Sequence, residues 1–427
     1  MSIQQNFPGI MPSLNLNFAK SKRLDPRVTF QRLTGATVTN ELGLIERVGN
    51  NIPRFDHSYN STGVINSLGL LIEEQRENIL NRSEVTTSNW TGSTSNTTYS
   101  NLSLNALGIF PGVEVTSTTG AAWHRRTTGS NVPFVSGTQY AVTFYYREGT
   151  SGRARLQFRY NSQESYVQGP ANGSAWSIQQ TLGSITNVTT TLMDGQSTYK
   201  TSYIFTPNFT GVADMGIGVG LEGSPGVTII ALGGQVEVGA FPTSYIPTQG
   251  LPVTRAEDSV YIDGRIGDNF SWYNPREGSI LWTGNVYGTE KQAVCPYKIS
   301  NLANLRGIGP QFDTRSLNNT AVFMARAVSS NIPVKNAPFG TIPSSDTIKI
   351  AGAYEEGVGI SAAFDGSPPA SSGGDSQTDI VSGDEYYLDI GGSRSLSSSN
   401  NKFTGVCEQL VYYPRRVTDL QLQSISK

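Results

Sequence analysis

Between residues 85 and 252 the chain repeats one pattern: short runs that alternate apolar with polar residues, separated by Gly, Asn, Ser and Pro. Residues 140–146, 154–160, 199–206 and 227–232 all carry it. A period of two sends successive side chains to opposite faces, which is strand geometry and not helix geometry. The pattern resumes after Val253, at 279–284, 347–354, 359–366, 386–390 and 403–413. Such recurrence predicts an all-β chain of two antiparallel β-sandwiches, over 85–252 and 253–427. Asp365-Gly366 reads as a hairpin turn, because that pair tolerates positive φ. Thr418 followed by Gln421 caps a short terminal helix. The span 288–345 is poor in obvious strands and leaves the strand count open.

Residues 1–84 differ. Pro8, Pro12, Pro26 and Pro53 interrupt any long periodic element, so this part reads as an extended, loop-rich N-terminal segment that needs a partner surface to become ordered. Leu71, Ile72, Ile79 and Leu80 would share one side of a short helix.

Charged residues make up 15% of the 427 residues, and the formal net charge is -2. Nucleic-acid binding depends on clustered Lys and Arg, so it is not expected, and Arg125-Arg126 and Arg153-Ala154-Arg155 read as solvated strand faces. No apolar stretch is long enough to insert in a membrane, and the first twenty or so residues do not read as a secretory signal. Cys295 and Cys407 are too few for a disulfide framework; they read as buried small hydrophobes, with a single bridge left open. With His57 and His124 they give too few ligands for a structural zinc site, and no metal or other cofactor is expected.

Catalytic patterns are weak. Gly218, Gly220 and Gly223 fit a dinucleotide fingerprint, but a β-branched run follows where a helix is required, so they read as a glycine-rich strand end. Neither histidine accompanies a nucleophile motif. Glu385 and Asp389 fall on one strand face, yet they lack the two-carboxylate arrangement of a glycanase. Asp365 and Asp389 are read as turn aspartates, with a calcium site at a sandwich rim as the alternative. A polar, weakly charged surface suits glycans, which are held by flat rings together with hydrogen bonds. Trp90, Trp123 and Trp176 lie in polar, loop-like settings, and Trp123-His124-Arg125 offers a ring with adjacent donors. These five residues are the candidate glycan site. Trp272 and Trp282 read as structural.

Several segments carry a resemblance: Leu24-Asp25-Pro26-Arg27-Val28-Thr29-Phe30, Asn51-Ile52-Pro53-Arg54-Phe55-Asp56, Leu70-Leu71-Ile72-Glu73-Glu74-Gln75-Arg76, residues 235–248 including Phe241-Pro242-Thr243-Ser244-Tyr245-Ile246-Pro247-Thr248, and Val253-Thr254-Arg255-Ala256-Glu257-Asp258. In this order they resemble the modular fibre and appendage proteins of tailed bacteriophages. The resemblance implies an N-terminal virion-attachment segment over 1–84, a carbohydrate-binding-module-like sandwich over 85–252 and a concanavalin A/laminin-G-like sandwich over 253–427. It implies a strand and turn, not a helix, around 70–80. The expected role is a non-enzymatic structural protein of the virion, assembled in the host cytoplasm and released by lysis. It would act as a tail fibre or similar appendage for host adsorption, binding other virion proteins and host envelope polysaccharide as a homotrimer. A capsid-decorating fibre or cement protein is the alternative, and a glycan depolymerase the third.

Overall fold

The computed structural model describes residues 7–59, 63–90, 97–102, 108–118, 126–127, 132–220, 225–287, 296–301, 306–313, 320–326, 335–341, 347–373, 386–391 and 403–427. The chain is all-β as expected, built of antiparallel sheets with two short helices among the described residues.

The first sandwich packs two six-stranded sheets. One contains, among others, the strands Arg153–Tyr160, Gln163–Pro170 and Gly211–Gly218; the other centres on Tyr140–Glu148, flanked by Thr198–Pro207 and Thr228–Val238. Alternation fixes which side chains face inward: Val142, Phe144 and Tyr146 meet Leu156, Phe158, Met215 and Ile217 in one buried cluster. Phe134, Phe158 and Phe205 form its aromatic centre, with ring centroids 4.9 to 5.2 Å apart. Gly218 ends its strand and Thr228–Val238 is the next strand, with no helix among the described residues between them; Gly223 lies outside the described residues.

The second sandwich packs an eight-stranded sheet on a seven-stranded one. Here the structure departs from the extended N-terminal segment. Leu14–Asn17 pairs with residues 409–412 and Ile65–Ile72 with residues 405–407 along the same edge of Gly405–Tyr413, whose other edge pairs with Glu277–Val286, and Val28–Gln31 pairs with Ser259–Asp263 in the opposing sheet. Leu14, Leu16, Phe18, Val28, Phe30, Leu70 and Ile72 are all buried in the core of this sandwich beside Trp282, Ile350 and Leu388. Strands from residues 14–72 and from 253–427 thus build one sandwich, and the other lies between them in the chain. The short helix over 70–80 gives way to Ile65–Ile72 and Arg76–Asn78, both strands, because Leu70 and Ile72 supply apolar side chains to a sheet core. The strand-poor span contains Tyr297–Asn301, Arg306–Asp313, Thr320–Arg326 and Lys335–Thr341, which extend the seven-stranded sheet.

Local signals hold at the hairpin and the cap. Asp365 has φ 43° and Gly366 φ 73°, and the Asp365 carboxylate accepts the Lys349 N–H at 2.7 Å. Asp389 is buried within the strand Tyr386–Ile390, away from any rim. Thr418 and Gln421 form a reciprocal capping box on the helix Asp419–Ile425. No helix among the described residues is long and apolar enough to cross a membrane.

Cys407 is a free, buried thiol, and Cys295 lies outside the described residues. Burial pushes the Cys407 thiol well above its ordinary value. A water-soluble thiol reagent is therefore expected to leave Cys407 unmodified in the folded protein and to reach it only after denaturation, as peptide mass mapping would show.

Candidate functional site

Four of the segments that carry the resemblance, at 51–56, 70–76, 235–248 and 253–258, come from distant parts of the chain and meet at one place, where the inserted sandwich joins its host; Val28 and Phe30 of the segment 24–30 lie instead in the core of the second sandwich. Arg54 opens the strand Arg54–Tyr59, Glu73 follows Ile65–Ile72, Arg255 ends Val253–Arg255, and Asp258 immediately precedes Ser259–Asp263. Arg54 Nη1 donates to Glu73 Oε2 at 2.7 Å, to Ser244 Oγ at 2.7 Å and to the Thr37 carbonyl at 3.1 Å, while its Nη2 bonds Asp258. Arg32 donates to Asp258 at 3.1 Å, and Arg255 forms an ion pair with Glu73 at 3.3 Å. The Ser244 N–H and hydroxyl each donate to Glu73 at 2.6 Å. All five charged side chains are buried.

Three guanidiniums face two carboxylates here, and each carboxylate oxygen has a donor. Burial alone would raise the Glu73 carboxyl, but Arg255, Arg54 and the Ser244 donors outweigh it and bring it down to about 2. Burial also disfavours the Arg54 charge, yet Asp258 and Glu73 hold that group above its ordinary value. The connector 241–248 is strapped down in the same way. Asn78 donates to the Ile246 carbonyl at 2.7 Å, Gln235 accepts the Ile246 N–H at 2.6 Å, and the Arg76 guanidinium lies 4.4 Å from the Phe241 ring centroid.

A cleft of about 310 Å³ opens directly over this junction. Tyr145 of the inserted sandwich and Tyr245 of the connector lie at its buried base, each 1% exposed, their ring centroids 5.4 Å apart and edge-on. Tyr59 and Tyr287 stand at its mouth, and Lys200 faces it from the strand Thr198–Pro207. The hairpin of Ala36–Thr39 and Ile45–Val48 closes one side by packing Ile45 against Phe110, Tyr145 and Met193.

Asp56 and His57 line this cleft from a strand whose register shifts between them: Asp56 lies opposite Gly69, His57 opposite Ser67, and Leu68 is the extra residue of a bulge. Bulges re-aim side chains. Gly69 has φ 111°, and a Cβ there would overlap the Cys407 carbonyl, so this position requires glycine. Both side chains reach the backbone of Thr39. Asp56 Oδ1 accepts its N–H at 3.0 Å, and His57 Nδ1 lies 3.0 Å from its carbonyl. A carbonyl only accepts, so Nδ1 carries a proton, and the neutral form of the ring presents a bare Nε2. That atom is buried and has no partner among the described residues. Burial raises the Asp56 carboxyl, opposed by the Thr39 N–H.

The candidate glycan residues do not assemble here. Trp123, His124 and Arg125 lie outside the described residues. Trp90 is corrected: it is 0% exposed in the core of the first sandwich, with Nε1 donating to the Arg82 carbonyl at 2.8 Å, so no sugar can reach it. Trp176 is half-buried beside the edge strand Ser177–Gln180 and donates to Thr190 at 3.1 Å. Arg155 is not on a solvated face either. It is buried, bonded to Gln157, Gln168 and Glu164, and 3.7 Å from the Tyr166 ring centroid. Sequence reasoning weighed His57 only as a catalytic or zinc residue and did not single out Tyr145 or Lys200, which come from separate segments; the segments at 51–56, 70–76 and 235–248 marked the region.

No family model matches the chain, and no curated protein matches it. Among solved structures, the carbohydrate-binding module CBM40 of a Ruminococcus gnavus IT-sialidase, bound to α2,3-sialyllactose, is 11% identical with a TM-score of 0.32, covering 38% of this chain and 90% of that one. Domains LG4-5 of the mouse laminin α1 chain are 11% identical with a TM-score of 0.25, covering 82% of this chain and 92% of that one. A Trypanosoma rangeli sialidase in complex with sialic acid is 11% identical with a TM-score of 0.28, covering 98% of this chain and 96% of that one. At such scores they carry nothing about function over to this chain.

Proposed function

We propose that this chain is a non-enzymatic structural protein that binds glycans, of the kind that forms tail fibres or similar appendages on tailed bacteriophages. The carrying observation is the convergence of four of the resembling segments on one buried charge network with a tyrosine-lined cleft above it. That arrangement gives a stiff two-sandwich body with a recess for a small polar ligand. Attachment to other virion proteins and trimer assembly belong to the same proposal; because residues 14–72 are folded into the second sandwich, attachment would use a surface of that sandwich. Weak glycan contacts repeated over several copies would add up through avidity. The stiffness of the junction favours a second reading, a purely architectural capsid-decorating protein.

The test is retention of the purified chain on immobilised bacterial envelope polysaccharides, with free sugar as competitor. Competable retention on at least one polysaccharide is expected. No retention across a broad panel would remove glycan binding and leave the architectural reading, and release of new reducing ends would make the chain a depolymerase.

A further inference from the structure

We infer that the junction cleft seats a single neutral pyranose unit, which donates a hydroxyl to His57 Nε2 and lies against the tyrosines at the cleft's mouth. This rests on the glycan-binding reading and names its site. Three observations carry it. His57 is 7% exposed, it lines the cleft, and its Nε2 is an acceptor without a partner among the described residues. A buried acceptor left unfilled is unfavourable, so a ligand hydroxyl placed there is favoured. The Thr39 carbonyl sets the tautomer of the neutral ring, which then selects a donor over an acceptor.

Size and charge narrow the ligand. A volume of about 310 Å³ lies at the lower end of the range in which proteins enclose small ligands, which suits one sugar ring better than an extended chain. Tyr287, 39% exposed, and the half-buried Tyr59 offer apolar ring surface to the C–H face of a pyranose, and Lys200 and Asp56 place one cation and one anion at the same recess. Glu73 also borders the cleft, but both its oxygens are engaged by Arg54, Arg255 and Ser244, so it is not free to recruit a cationic ligand. A neutral, hydroxyl-rich ring fits these features together.

His57→Asn separates the two functions of the imidazole. The shorter amide can keep a donor to the Thr39 carbonyl while the Nε2 acceptor is lost. The chain has two histidines, so selective carbon-13 labelling gives two ring signals, and the one absent in His57→Asn belongs to His57. The full chain would be titrated with the methyl glycosides of glucose, galactose, N-acetylglucosamine and rhamnose. At least one glycoside is expected to shift the His57 signal saturably, and His57→Asn should bind it about tenfold more weakly. Tyr287→Ala, at the exposed rim, should also weaken binding and covers the case in which His57→Asn folds poorly. Polysaccharide retention with an unmoved His57 signal, or with unchanged affinity in a folded His57→Asn or Tyr287→Ala protein, would overturn the cleft as the seat while leaving glycan binding intact. Absence of both retention and glycoside binding in the unaltered chain would overturn both.

Discussion

Replacing Arg54 by Met is expected to destabilise the protein by about 3–5 kcal/mol, because it leaves two buried carboxylates without their shared cation. Arg54 is fully buried, and it is the side chain that touches both Glu73 and Asp258 as well as Ser244 of the connector. The exposed pair Lys22–Glu41, at 3.0 Å, provides the contrast: Lys22→Ala should leave the urea midpoint essentially unchanged, because water and salt screen the pair. Urea unfolding of the two variants beside the unaltered chain measures both effects. The same network sets an acid limit. The folded-state Glu73 carboxyl, at about 2, lies below its ordinary 4.5, so its contribution is present above pH 4.5 and is lost as the pH falls through about 2. Glu237 works in the opposite sense. Burial raises its carboxyl despite the Thr243 donors, so its protonation favours the folded state as the pH falls and offsets part of the loss. Unfolding midpoints measured from pH 6 downward should therefore decline for the unaltered chain, and Arg54→Met should flatten that decline.

Trp90→Ala is expected to cost about 3–5 kcal/mol, since it empties a large volume from a closed core. Trp90 packs in the cluster of Val142, Phe144 and Met215 and is hydrogen-bonded to the Arg82 carbonyl. Trp90→Phe retains much of the ring and loses the hydrogen bond, so a smaller loss of roughly 1–3 kcal/mol is expected. Neither variant should change glycan retention measured well below its unfolding midpoint. A selective loss of retention with unaltered unfolding would return Trp90 to the list of binding residues.

The contrast between Trp90 and Tyr145 shows what local sequence carries. The run 140–146 alternates so regularly that its strand, and the inward aim of Val142 and Phe144, could be read directly. The Asp365-Gly366 turn and the Thr418 cap were legible for the same reason, because the chemistry of each lies within a few residues. Trp90 has polar neighbours in the chain, which made it look exposed, but its burial is decided by strands more than fifty residues away. The role of residues 14–72 was hidden more deeply. Their alternation is short, and the partner that orders Leu14–Asn17 is the strand Gly405–Tyr413. The cleft depends on a register shift between Asp56 and His57, for which Gly69 was the sequence trace, and a single glycine does not announce a bulge.

Because Leu14 lies opposite Tyr412, the host sandwich cannot close its main sheet until nearly all of the chain has been made. A ribosome emits the N-terminal strands first, and they must wait with open edges while the inserted sandwich emerges and acquires its own core. Contacts this distant in sequence also make closure slow. The inserted sandwich would therefore be the first part to become folded, and its completion brings residues 76–78 and 253–255 side by side, shortening the search that the waiting strands face.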